Sequence, residues 1–258
     1  MGHKILVMSP LHNMGATVAS TFIAQGATFD NKTTNLIFTQ PNSNLPTYLG
    51  INNISDPTRS VMQIVRLIDN GAIEDKDIID YAHQYSRNAY MLNVADPSLE
   101  GRDRYQVISH IFNRAPTDLS ICDNSEDLDS PLTQKLLDIA DMVFITIDMS
   151  RKCRDYVKAW AESPQLKDKQ NVYFIVCKYN EVVFAVRNFA KVIGQPANRI
   201  CKIHYNPWIE KSCNNYQLGT VLPTAHNLDP RTANLNNDIA EIIQCINGDM
   251  VFKTKKGL

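Results

Sequence analysis

Seven short apolar runs without polar alternation constrain this chain more than any other feature. They occupy residues 5–8, 36–38, 90–94, 119–122, 142–147, 172–176 and 200–203. A strand with one wet face carries a polar residue at every second position. A strand buried on both faces does not, and such strands belong to parallel sheets covered by helices on each side. Between the runs, apolar residues recur at helical spacing: Val61, Ile64, Val65 and Ile68; Leu132, Leu136, Leu137 and Ala140; Ile239, Ile242, Ile243 and Ile246. Strand and helix thus alternate. The expected fold is α/β, a doubly wound, mostly parallel sheet with helices on both faces, right-handed crossovers, and ligands bound beyond the carboxyl ends of the strands.

The 258 residues are 44% hydrophobic, and no linker rich in Pro, Gly or Ser divides them, so a single domain over 1–258 is expected. One insertion, 56–88, stands out. It reads as two helices, 59–69 and 75–87, meeting at Asn70-Gly71, either as ordinary crossover helices or as a partner-binding lobe.

Charge and cysteine usage exclude several classes. Lys and Arg together number 26 against 27 Asp and Glu, which leaves no overall cationic surface for nucleic acid, although a local basic face stays open. The chain runs from Met1-Gly2-His3-Lys4 straight into a strand, and no stretch approaches the roughly 20 apolar residues of a membrane span. A cytoplasmic protein is expected, with residues 250–258 a frayed basic tail rather than a membrane anchor. The six cysteines form no CxxC and no Cys/His cluster, which argues against zinc or an iron–sulfur centre and for reduced thiols. No GxGxxG follows the first strand, so a dinucleotide-binding dehydrogenase does not fit either.

The first run leads into Ser9-Pro10-Leu11-His12-Asn13-Met14-Gly15-Ala16-Thr17-Val18 and then a helical stretch through Phe22 and Ile23 to Gly26. Strand, loop, Gly, Thr and helix form the layout of a phosphate-binding loop, in which backbone N–H groups at a helix N-terminus face an anion. Later segments make the pattern more specific. Gln40 to Gly50 reads Q-P-N-S-N-L-P-T-Y-L-G, Ile121-Cys122-Asp123 ends a strand and is followed by Ala140-Asp141-Met142-Val143, and Lys202 to Ser212 leads on to Gly219.

In that order these segments resemble the ParA/MinD family of P-loop ATPases. The first loop is similar to that family's deviant Walker A, S-G-K-G-G-V-G-K-T-T, with Ser9, Gly15 and Thr17 matching and both lysines replaced, by Leu11 and Ala16. The segment from Gln40 resembles the family's D-P-Q-G-N-L-T-T-x-L-G, with Gln40 in the aspartate's place. Asp123 resembles the Walker B acid, with Asn124-Ser125 where Thr-Pro-Pro is usual, and Cys177 stands where the family has a base-contacting asparagine.

The resemblance implies ATP or ADP with Mg²⁺, held by the loop at Asn13, Met14, Gly15, Ala16, Thr17 and Val18, with the base near Asn206 and Pro207. The metal would be held by Thr17 and Asp123. It also implies a homodimer acting with an unidentified partner protein, with DNA as one candidate surface, in positioning, plasmid partition, or pilus or conjugation assembly of the TadZ kind. A leucine at position 11 supplies no charge to a transferring phosphoryl group, and losing such a cation costs on the order of 10³ in rate. Hydrolysis is therefore expected to be slow or absent, and no catalytic residue is assigned.

Two alternatives stay open: a nucleotide-free protein- or DNA-interaction module on the same fold, and an active ATPase with a substitute cation, for which Arg151 and Lys152 are candidates. Individual residues carry plainer readings too. Thr17 would serve as a helix cap or first-turn residue, Asp123 as a turn former and Asn206-Pro207 as a turn into a helix. His12 would be an exposed loop residue, Glu126, Asp127 and Asp129 a solvated loop, and Trp208 and Tyr216 core aromatics rather than partner anchors.

Overall fold

The computed structural model describes residues 2–40, 43–51, 61–92, 101–183, 185–226 and 232–256. Its centre is an eight-stranded sheet of β1 (His3–Met8), β2 (Thr34–Phe38), β3 (His83–Ser86), β4 (Ala89–Met91), β5 (Leu119–Asn124), β6 (Met142–Ile147), β7 (Val172–Tyr179) and β8 (Ile200–His204). Across the sheet the order is β3-β4-β2-β5-β1-β6-β7-β8. Every pairing is parallel except that of β3 with β4. β1, β2, β5 and β6 are buried at every position, which accounts for the missing alternation in their sequences.

Crossover direction sorts the helices into two layers. The connection from β1 through α1 (Ala16–Phe29) to β2 moves toward the β3 edge. After the short α2 (Leu45–Tyr48) and α3 (Val61–Asp69), the later connections move the opposite way. They run through α4 (Gly101–Arg114), α5 (Pro131–Ile139), α6 (Arg151–Ala161) and α7 (Val186–Ile193), and right-handedness places them on the opposite face from α1. The chain closes with α8 (Pro207–Asn214), α9 (Leu218–His226) and α10 (Ala233–Lys256), of which α9 and α10 pack beside α1. Gly26 lets α10 approach α1 closely: a Cβ there would stand 2.5 Å from Ile239 Cγ2 of α10.

The expected insertion differs from its sequence reading. Residues 56–60 lie outside the described residues, and α3 supplies the first helix, but 75–87 is not a second one. Asp75–Tyr81 is a 3₁₀ helix whose start is closed by reciprocal bonds between Glu74 and Asp77. His83–Ser86 then adds β3 antiparallel to β4, with a shift in register between Gln84 and Ser86. Helical caps and a sheet edge compete for this segment, and pairing with β4 gives its backbone groups the partners that a longer helix would otherwise have supplied.

Candidate functional site

Beyond the carboxyl ends of β1 and β5, residues 9–15 form a loop that opens α1. β1 lies between β5 and β6, and its connection to β2 departs in the opposite direction from the connection of β5 to β6. That divergence creates the crevice in which open α/β sheets bind ligands. The loop turns on two left-handed residues, Asn13 at φ 64° and Gly15 at φ 87°. Gly15 is the N-cap of α1 and has no side chain to satisfy the helix's first N–H groups. The N–H groups of Ala16, Thr17 and Val18 thus open the helix without intrahelical partners, and the helix dipole adds partial positive charge there.

Glycine at position 15 is required twice over. Its φ is unfavourable for other residues, and an added Cβ would stand 2.8 Å from Cys177 Sγ. Cys177 comes from the far end of β7, where the pairing with β8 shifts register and Lys178 takes φ 53°. The loop is therefore seated directly on the residue that stands where the resemblance implies a base-reading asparagine. Burial pushes the Cys177 thiol up to about 12, so it acts as a neutral packing group.

Thr17 and Asp123 meet across the crevice. The Thr17 hydroxyl donates to Asp123 Oδ2 at 2.7 Å. Asp123 is 5% exposed, and burial raises its carboxyl to about 6, with the Thr17 hydrogen bond pulling the other way. Among the described residues no Lys or Arg pairs with it. Its strand is held on the β2 side by Thr39 N–H donating to the Asp123 carbonyl at 3.0 Å. Ser125 N–H donates to Thr39 Oγ1 at the same distance.

A carboxylate desolvated in this way, beside a hydroxyl at a helix N-terminus, fits a divalent cation held by the Thr17 oxygen and, through water, by Asp123. The rest of the coordination would come from a phosphate and solvent, since no group of three or more His, Cys, Asp or Glu among the described residues could hold a metal alone. The N–H cradle fits a phosphate as well, though without the lysine charge that normally accompanies it.

The remaining residues singled out in the sequence fall into place around this pair. Thr17 lies in the first turn of α1 and is not its cap. Leu11 and Ala16 are partly buried and pack against the core, while Met14 and Val18 do the same on either side of Gly15. His12 and Asn13 are exposed. Asn206 caps α8, its side-chain oxygen accepting from Trp208 N–H at 2.9 Å, and Pro207 occupies the first helical turn. Arg151 and Lys152 begin α6 and are exposed. Glu126 lies 3.8 Å from Arg104, whereas Asp127 and Asp129 are exposed. Trp208 packs partly against the core, and Tyr216 is 59% exposed, so it is not the core aromatic its spacing suggests. The seating of Gly15 on Cys177 has no motif behind it; its one sequence signal is the substitution at the asparagine position.

No protein-family model and no curated protein sequence matches this chain. Solved structures do. The septum site-determining protein MinD of Pyrococcus horikoshii, complexed with Mg-ADP, superposes with a TM-score of 0.69 at 14% identity, covering 96% of this chain and 98% of that one. A ParA family ATPase from Chlorobium tepidum gives a TM-score of 0.69 at 16% identity over 92% and 96%. A chain of the MinC:MinD cell division protein complex of Aquifex aeolicus gives 0.66 at 16% over 95% and 96%. The chain therefore has the eight-stranded, mostly parallel P-loop fold of the MinD and ParA ATPases over nearly its whole length.

Proposed function

We propose that this chain is a ParA/MinD-like positioning protein that binds ADP or ATP with Mg²⁺ at the loop before α1 and hydrolyses ATP slowly or not at all. The Thr17–Asp123 hydrogen bond carries the reading. It joins the hydroxyl and the acid that a Mg²⁺-nucleotide site requires, the first from the opening turn of α1 and the second from the end of β5, the strand beside β1. The likeness to a Mg-ADP complex of the same fold supports it.

The metal would neutralise charge between the phosphates. This chain's own residues would bind and orient: N–H groups from Asn13 to Val18 would face the phosphates, Thr17 would donate a ligand oxygen, and Asp123 would accept from metal-bound water. Pro207, exposed beyond β8 at the same sheet edge, would pack against the base. The Asn206 amide oxygen is engaged in capping, and Cys177 replaces an amide, so base selectivity should be weak.

Slow hydrolysis follows from Leu11 and Ala16, whose apolar side chains pack against the core where charge would be needed. In this reading nucleotide links two copies into a homodimer, and a partner protein docks on the outer surface, as the MinC:MinD likeness suggests. Among the described residues no helix is long and apolar enough to cross a membrane. The same two substitutions favour a second reading, an interaction module that has dispensed with nucleotide.

Calorimetric titration of Mg-ADP and Mg-ATP, with the mass in solution recorded alongside, separates the two readings. We expect saturable binding that Thr17→Ala abolishes, and a shift from monomer to dimer with Mg-ATP. Heat indistinguishable from dilution at millimolar nucleotide, with unchanged mass, would refute the nucleotide reading and leave the interaction module.

A further inference from the structure

Helix α10 is fastened to the edge strand β8 by three polar contacts in antiparallel order. His204 Nδ1 lies 2.8 Å from Asp238, Lys202 Nζ lies 3.8 Å from Glu241, and Cys201 Sγ lies 3.7 Å from Cys245 Sγ. Residues 238, 241 and 245 share one face of a helix, so that face meets positions 204, 202 and 201 in turn. The first two contacts are complete as they stand. The third is a weak S–H···S contact between thiols about 1.7 Å from bonding distance.

We propose that Cys201 and Cys245 form a redox-convertible pair that closes to a disulfide between β8 and α10 when the chain meets a small-molecule disulfide such as oxidised glutathione. The two thiols divide the roles such an exchange requires. Cys201 is 1% exposed, whereas Cys245 is partly open to solvent. Either thiol can donate across this contact; with Cys201 as donor the hydrogen bond lowers the Cys245 pKa, against the opposing effects of burial and Glu241. The accessible thiol is thus the one held closer to its nucleophilic form.

The exchange runs in two balanced steps. The Cys245 thiolate attacks one sulfur of the small disulfide, breaking its S–S bond, forming a mixed disulfide and releasing one small thiolate. Cys201 then loses its proton to solvent and attacks the Cys245 sulfur, closing the intrachain bond and expelling the second small thiolate. Two electrons pass to the small disulfide, which leaves as two thiols after taking up two protons.

The pair is placed so that closure reaches beyond β8. α10 packs on α1 at Gly26 through Ile239 and Ile243, and Asn247 is hydrogen-bonded to Lys32 just past the end of α1. A covalent link at Cys245 would brace the helix that backs α1, whose N-terminus bears Thr17.

The test oxidises the purified full chain with excess oxidised glutathione, caps remaining thiols, digests without reductant and maps the linkages by mass spectrometry. We expect a Cys201–Cys245 linkage within one chain, a thermal midpoint raised by roughly 5–10 °C, and reversal of both by dithiothreitol. Cys245→Ser should abolish both, while Cys201→Ser should retain glutathione at Cys245. Glutathione accumulating on wild-type Cys245 without a crosslink, a different pairing, or a link between two chains would overturn the proposal.

Discussion

Asp238 receives His204 twice: the backbone N–H donates to Oδ2 at 2.8 Å, and the imidazole Nδ1 lies within 2.9 Å of both carboxylate oxygens. The carboxylate is 2% exposed, so burial raises its pKa while the His204 contacts draw it back. One side chain of α10 thereby satisfies the end of β8.

The two partners should contribute unequally. Asp238→Ala orphans the backbone N–H of residue 204 as well as the ring and should cost about 2 kcal/mol, whereas His204→Ala spares the backbone bond and should cost about 1. Urea unfolding of both variants and the double variant checks this; strictly additive losses would mean that the ring contact contributes nothing.

Asp123 predicts an unusual pH profile. Its folded carboxyl ionises at about 6, above the ordinary 3.8. The native state holds the proton more tightly, so the stability this group contributes is fully present below about 3.8 and is lost as pH rises through about 6. Asp123→Asn removes that loss. In metal-free buffer the variant should gain up to about 3 kcal/mol relative to wild type between pH 4 and pH 8. Denaturant titrations at the two pH values measure it, and a constant difference between the proteins would disprove the raised pKa.

Gly15→Ala combines two penalties, backbone strain of about 1–2 kcal/mol and the collision with Cys177 Sγ. Adding Cys177→Ala removes Sγ and should relieve the closer contact, leaving the strain and the residue 177 Cβ at 3.0 Å, so the double variant should be less destabilised than the sum of the singles. If the costs simply add, the loop has another way to move off β7.

Much of this architecture is legible in the sequence for one physical reason: a doubly covered parallel strand has to be apolar throughout. Residues 142–147 coincide with β6 end to end because Asp141 and Asp148 bracket an uninterrupted buried run. β3 escapes such a reading because a half-buried edge strand, His-Gln-Tyr-Ser, carries no such run, and the acidic turn before it imitates a helix start. Thr17 and Asp123, 106 positions apart, are paired by the resemblance alone. The contact of Gly15 with Cys177 and that of Cys201 with Cys245 are not legible, because a packing partner across a sheet leaves no periodic trace in either segment.

The place of β1 in the sheet also orders events in time. It is the first of the eight strands to leave the ribosome, yet its neighbours are β5 and β6, so its backbone waits for residues 119–147 before it is paired on both sides. The loop that follows β1 waits longer, for Cys177 to seat Gly15 and for α10 to close over Gly26. A nascent or truncated chain therefore presents no early version of the crevice, and any ligand bound there can report only on completed molecules.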